Sequence, residues 1–144
     1  MPGSGTHKNP DFQYRELCVN MVLHVGEENQ RRTKRSSGGA MAKTEIHAGV
    51  CGHVTTVEAT MEGKVCKLTI TSDCQAIQRL AEELKEVNPM MEISSKRATP
   101  QTLQMGLKHC FHAACPVPVG IIKAVEVAAK LALPKDVIIK VSKE

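Results

Sequence analysis

From residue 44 onward the chain alternates apolar and polar positions in short runs, the period of a half-buried strand. Residues 44–50 are compatible with a first strand. Residues 54–60 read as a second, with Val54, Thr56, Glu58 and Thr60 on one face and Thr55, Val57, Ala59 and Met61 on the other. Residues 65–71 alternate strictly: Cys66, Leu68 and Ile70 face one way, Lys67, Thr69 and Thr71 the other. Only Glu62-Gly63-Lys64 lies between these two runs, and so short a turn joins strands as an antiparallel hairpin.

The period then lengthens. Ser72 and Gln75 fit a capping box that opens a helix. Ile77, Leu80, Leu84 and Val87 follow at helical spacing, and Asn88-Pro89 ends the run. Thr99-Pro100 starts a second helix whose apolar residues are Leu103, Leu107, Cys110 and Phe111. A break at Cys115-Pro116-Val117-Pro118 leads to a third helix over residues 119–131, closed by Pro134. Residues 137–141 are expected to add a last strand to the sheet. The pattern predicts an α+β domain: an antiparallel, hairpin-based sheet of three to four strands with about three helices. There is no internal repeat.

This domain is expected to span residues 41–144. The stretch before it differs in character. Residues 1–16 are polar and contain Pro2, Gly3, Gly5 and Pro10. Residues 17–25 hold a short apolar run, and Arg31, Arg32, Lys34 and Arg35 follow within a charged stretch. Ser36-Ser37-Gly38-Gly39 resembles a flexible linker, and Met41-Ala42-Lys43 resembles a natural protein start. Residues 1–40 are therefore expected to be a flexible extension or a non-native leader. A basic arm that binds nucleic acid is the competing reading.

Composition narrows the function. Apolar residues make up 42% of the chain but aromatics only 2%, so the core is aliphatic and stacking platforms for single-stranded nucleic acid are missing. The net charge of +4 divides evenly between residues 1–40 and 41–144, and a basic total of this size is weak evidence for binding nucleic acid or a membrane surface. No apolar run approaches the roughly 18 residues of a membrane helix, and no secretory signal opens the chain. A reducing, cytoplasmic setting is the expectation. There, six cysteines point to metal or redox chemistry before structural disulfides.

Cys18 falls in the leading stretch, and Cys66 on the inward face of a strand reads as a buried thiol. Four others stand at the ends of elements. Cys51 follows the first strand, Cys74 sits at a helix start, and Cys110 and Cys115 bracket a break in His109-Cys110-Phe111-His112-Ala113-Ala114-Cys115. A helix N-terminus carries a partial positive charge that favours thiolate over thiol, which suits Cys74 and Cys115. If the strand end and the helix starts share one edge of the sheet, Cys51, Cys74, Cys110 and Cys115 can hold Zn²⁺ or an iron–sulfur cluster. His109 and His112 are further candidate ligands. His47 and His53 flank Cys51 and share that ambiguity. The spacing is not that of paired C-x-x-C units, so semi-buried cysteines that never share a ligand are the competing reading. Glu82, Glu83 and Glu86 read as a solvated helix face, and the chain carries neither a Walker-type loop nor a G-x-G-x-x-G.

Cys115-Pro116-Val117-Pro118 followed by Ile121-Ile122-Lys123-Ala124 resembles the Cys-Pro-x-Pro opening of TusA-like sulfur carriers. The resemblance covers residues 115–141. It implies that Cys115 begins a helix and carries a persulfide. It departs from that family in position, because the motif here comes late in the chain. The stretches 47–52, 72–74 and 112–118 together are similar to a small uncharacterised cysteine-containing family of anaerobic bacteria and methanogens. That similarity implies an oxygen-free setting and no established activity.

The leading expectation is thus a metal- or iron–sulfur-binding protein. The alternatives are a sulfur carrier acting through Cys115 and an interaction module with structural cysteines. The first two imply a redox or sulfur-transfer protein partner.

Overall fold

The computed structural model describes residues 39–96 and 98–144. The leading stretch, with Cys18, lies outside the described residues except for Gly39 and Ala40.

The alternation seen in the sequence builds a four-stranded antiparallel sheet in the order β1-β2-β3-β4. β1 is Met41–His47, β2 Val54–Glu62, β3 Val65–Ser72 and β4 Glu86–Val87. The fold is α+β, as expected. The register runs Ala42↔Ala59 and Ile46↔Thr55 between β1 and β2, then Val57↔Ile70 and Ala59↔Leu68 between β2 and β3. Two residues, Gly63 and Lys64, close the second hairpin, and Gly63 takes the positive φ of 62° that a tight hairpin turn needs at its first position.

Every second side chain of the sheet points into one core. Ala42, Ile46, Val57, Ala59, Cys66, Leu68 and Val87 are buried, while Lys43, Glu45, Glu58 and Lys67 face solvent. On that solvent face the Lys43 ammonium lies 3.5 Å from the Glu58 carboxylate directly across from it. Lys67 pairs in the same way with Glu86.

Four helices cover the apolar face: α1 (Gln75–Glu83), α2 (Pro89–Glu92), α3 (Gln101–His109) and α4 (Val117–Ala128). α4 packs across β1 and β2 through Val117, Ile121, Ala124, Val125 and Ala128. α1 packs on β3 through Ala76, Ile77 and Leu80. α3 rests on both α1 and α4. Its N-terminus is capped by a carboxylate from outside the helix: Glu92, buried at the end of α2, accepts from the N–H groups of Gln101 (2.8 Å) and Thr102 (3.1 Å).

Several local expectations are corrected. β1 starts earlier than residue 44 and stops at His47, because residues 49–51 form a 3₁₀ turn instead. α1 has Cys74 as its N-cap, and the side chain reaching back to Ser72 is Gln78 (Nε2 to the Ser72 carbonyl, 2.9 Å), not Gln75. α1 ends before Val87, whose segment turns back to pair with Cys66 and Lys67 as β4. Asn88-Pro89 opens α2 rather than closing α1: the Asn88 side chain accepts from the Met90 N–H at 3.0 Å. α3 buries Thr102 and Gly106 and leaves Leu107 exposed; it ends at His109, so the exposed Phe111 lies beyond it. α4 starts at Val117 and ends at Ala128, where Lys130 takes a φ of 59° and the Leu131 N–H turns back to the Glu126 carbonyl at 2.8 Å. Residues 137–141 form no strand; Val137, Ile138, Ile139 and Val141 are exposed. No helix among the described residues is long and apolar enough to cross a membrane.

Candidate functional site: a cleft lined by thiols

The packing of α3 between α1 and α4 brings element ends together at one end of the helical layer. Cys74 is the residue from which α1 departs, with its N–H donated to the Ser72 Oγ at 3.3 Å. Cys110 is the C-cap of α3, its N–H still bonded to the Gly106 carbonyl at 2.9 Å. Cys115 stands two residues before α4, whose N-cap is Pro116 and whose first turn holds Pro118; its N–H bonds the His112 carbonyl at 3.2 Å and so tightens the connecting loop. All three thiols are half-buried and pack against the hydrophobic core.

Cys51 arrives from the other side, on the connection between β1 and β2. That connection closes through Ala48 N–H to the His53 carbonyl (3.1 Å) and Gly52 N–H to the Gly49 carbonyl (2.9 Å). Gly49 (φ 71°) and Gly52 (φ 70°) sit in the left-handed region that favours glycine, and they bracket Val50 and Cys51. The Cys51 Sγ lies 3.8 Å from Nδ1 of His112 in the α3–α4 loop.

Cys51, Cys74, Cys110 and Cys115 thus line one cleft of about 470 Å³, together with His53 and His112. They surround the cleft rather than meet at a point: among the described residues, no three His, Cys, Asp or Glu side chains converge tightly enough to clasp a single ion as they stand. The thiols nevertheless interact. Partial burial pushes the Cys110 thiol up to about 12, and the neighbouring Cys115 and Cys74 sulfurs add to this because a thiolate there would face further negative charge.

The remaining candidates separate from this group. His109 turns toward α1, where its Nε2 lies 3.1 Å from Glu83 Oε1 without an aligned hydrogen bond. Lys108 reaches the same carboxylate at 2.6 Å, and this ammonium holds the Glu83 carboxyl below its ordinary value. His47 pairs with Glu45 at 2.8 Å. Cys66 is enclosed in the core, where burial pushes its thiol up. One pair carries no motif in the sequence: the Arg79 guanidinium lies over the ring of Phe111, a residue of the cleft wall, 5.7 Å from its centroid. Arg79 is five residues beyond Cys74 on α1, and Phe111 follows Cys110, so both are tied to thiol-bearing segments.

Residues 42–141 match the family described as a family of unknown function, DUF6951. The chain belongs to this family. No curated protein matches the chain significantly. The matched region of the DUF6951 domain contains the whole sheet from Ala42 onward, all four helices and every cysteine of the cleft.

Proposed function

We propose that this DUF6951 domain is a small cytoplasmic protein that binds a soft metal centre through Cys51, Cys74, Cys110 and Cys115. An iron–sulfur cluster is favoured over a single zinc ion. The observation that carries this reading is that four thiols, from the β1–β2 connection, the start of α1 and the two ends of the α3–α4 loop, line one cleft. Tetrahedral zinc with Zn–S bonds of about 2.3 Å draws its four sulfurs to within roughly 3.8 Å of one another. Thiols disposed around a roomy cleft suit a multi-iron core better, since its irons reach outward to separate thiolates. The elevated Cys110 thiol fits as well: a cationic centre relieves the repulsion among Cys110, Cys115 and Cys74 and displaces their protons.

Anaerobic purification followed by iron, sulfide and zinc analysis tests the proposal. Stoichiometric iron and sulfide with a broad visible absorption is the expected result. Cys→Ser changes at 74, 110 and 115 are expected to lower the metal content. A folded protein that takes up neither iron nor zinc under reducing, anaerobic conditions would sink the reading.

A second reading rests on Cys115 alone. Its position just before the N-cap of α4, with Pro116 as that cap and Pro118 in the first turn, suits a thiol that carries sulfane sulfur to or from a partner protein. In that case Cys115→Ser alone abolishes persulfide loading, and the metal content of the other variants is zero throughout.

A further inference from the structure

β1 is the outer strand of the sheet: β2 pairs with one of its edges, and among the described residues no strand covers the other. The hydrogen bonds that flank β1 fix which groups the free edge carries. The Ala40 carbonyl accepts from the Met61 N–H at 3.0 Å, and the Ala48 N–H donates to the His53 carbonyl at 3.1 Å. Antiparallel ladders alternate, so Ala42, Thr44 and Ile46 turn their main-chain groups to β2 as Ala40 and Ala48 do. The N–H and C=O groups of Met41, Lys43 and Glu45 point outward, and among the described residues nothing bonds them. Such an edge is a template for another strand.

The chain also holds a segment of strand composition with nothing to pair with. Val137, Ile138, Ile139 and Val141 are between 63% and 92% exposed, and residues 137–141 make no main-chain hydrogen bond among the described residues. The family match runs as far as Val141, so the segment is part of the domain. In a strand, Val137, Ile139 and Val141 fall on one face and Ile138 and Lys140 on the other, the same in-and-out period as the sheet. Edge and segment face a common groove of about 880 Å³, lined by Met41–Glu45 of β1 and by residues 132–138.

We infer that residues 137–141 of a second copy of this chain pair with the free edge of β1, and that the exchange is reciprocal, giving a two-fold dimer. Each copy carries edge and segment beside one groove, as a self-complementary two-fold contact requires. The direction of α4 favours the second copy over the chain's own segment. A Cβ at Gly120, near the start of α4, falls 2.4 Å from the Ile46 Cδ1, while Lys123 and Val127 further along line the groove with Met41–Glu45. α4 therefore runs opposite to β1, and the chain leaves it at the Met41 end. From there its own segment can pair with β1 only in the parallel sense, which is slightly less stable. A second copy supplies the antiparallel sense of the rest of the sheet. Setting Ile139 opposite the partner's Ile46 places Val141 opposite Thr44 and Lys140 opposite Glu45. The apolar residues then extend the buried face. On the solvent face the Lys140 ammonium meets the Glu45 carboxylate, which in the single chain has the exposed His47 beside it at 2.8 Å. Covering these side chains in both copies removes on the order of 1,000 Å² from solvent, the size a specific interface needs.

The test uses the full chain under reducing conditions, as wild type and as the Lys43→Pro, Lys43→Ala and Ile139→Lys variants. Sedimentation equilibrium gives the mass, far-ultraviolet circular dichroism checks the fold, and hydrogen exchange reads the amides of Met41, Lys43 and Glu45. Wild type is expected to be a dimer in the micromolar range with these amides protected. Lys43→Pro removes one outward N–H, a loss an edge strand tolerates, and is expected to fold as a monomer. Lys43→Ala loses the same exposed contact with Glu58 but keeps the N–H, and is expected to stay dimeric. Ile139→Lys changes a side chain that is exposed in the single chain. It is expected to fold as a monomer whose Met41, Lys43 and Glu45 amides exchange about tenfold faster or more. Wild type that stays monomeric across the micromolar range overturns the inference, whether those amides exchange freely or are covered by another part of the same chain. A dimer that survives either Lys43→Pro or Ile139→Lys is held by a different surface and overturns it too. So does a Lys43→Ala protein that dissociates, because the side chain and not the main-chain edge would then carry the contact. None of these outcomes depends on metal content, so the metal reading stands or falls separately.

Discussion

Gly106 of α3 lies so close to Pro118 of α4 that a Cβ at position 106 falls 2.6 Å from the proline Cγ. The contact sits four residues before Cys110 and three after Cys115, so it governs how near the two thiol-bearing helix ends come. The proline ring cannot rotate out of the way as a flexible side chain would. Gly106→Ala therefore forces α3 and α4 apart. It is expected to destabilise the domain by about 1–3 kcal/mol despite the better helix propensity of alanine. Thermal unfolding checks this: a fall of several degrees is expected, since about 1 kcal/mol moves the midpoint of a domain near this size by roughly 4–8 °C. An unchanged midpoint would show that the helices are free to separate without cost.

The Cys110 thiol gives the fold a pH dependence. Its value in the folded chain is about 12, raised first by burial and then by Cys115 and Cys74, against 9.0 for an ordinary thiol. The folded protein thus holds this proton when the unfolded chain has already released it. The associated stability is fully present below about pH 9 and is lost progressively as the pH rises toward 12. Urea denaturation of the metal-free, reduced protein is expected to show a midpoint that declines across that window. Cys110→Ala is expected to flatten the decline, and equal slopes for the two proteins would refute the assignment.

How much of this could be read along the chain depends on what each residue contributes. The alternation of Thr55, Val57 and Ala59 against Cys66, Leu68 and Ile70 carries the central hairpin, because side-chain period alone decides which face of a strand is buried. Val87 fits the helical spacing of Ile77, Leu80 and Leu84 equally well. What removes it from the helix is a tertiary pairing with Cys66 that no local pattern signals. The buried face of α3 was hidden for the opposite reason. Close approach to Pro118 demands a glycine at 106, and the other buried residue of α3 is the polar Thr102, whereas a search for large apolar residues selects the exposed Leu107 and Phe111. Residues 137–141 have the β-branched composition of a strand, but propensity without a strand to pair with leaves them outside the sheet and exposed.

The site was legible in the same partial way. Cys51, Cys74, Cys110 and Cys115 stand next to turn and capping signals, so their places at element ends follow from the sequence. Their sharing of one cleft depends on the docking of α3 against α1 and α4, which is a property of the whole fold. The parting of His109 from His112 follows from helix termination. α3 ends at His109, so its ring stays on the helix and meets Glu83, while His112 belongs to the loop that turns toward Cys51.

Glu92 offers a test of how far the site depends on remote support. Its buried carboxylate satisfies two N–H groups at the start of α3, the helix whose other end is Cys110. Glu92→Ala leaves the buried Thr102 donor and the partly buried Gln101 donor without this acceptor and is expected to cost about 1–3 kcal/mol. Glu92→Gln retains one acceptor oxygen and is expected to recover part of that loss. Chemical denaturation of the three proteins gives the order wild type, Gln, Ala. If Ala matched wild type, water would have to be replacing the carboxylate, and the cap would carry no net stability.

Cys66 separates the chemistry of the cleft from the general behaviour of thiols. Its side chain is wholly buried among Ala59, Leu68 and Val87, and burial pushes its proton affinity up. A thiol held neutral in an aliphatic core contributes packing and no charge. Cys66→Ser replaces a weakly polar group with a hydroxyl that must find a partner. The present thiol donates to the Lys67 carbonyl over 3.9 Å, a reach too long for a hydroxyl hydrogen bond. The substitution is expected to cost about 1–3 kcal/mol in stability, and Cys66→Ala somewhat less because it buries no polar atom. Neither is expected to change the iron, sulfide or zinc content per folded chain. Metal analysis and thermal melts on the same samples distinguish the outcomes. A stable Cys66→Ala protein that has lost its metal would place this thiol among the ligands and require a different disposition of the other four.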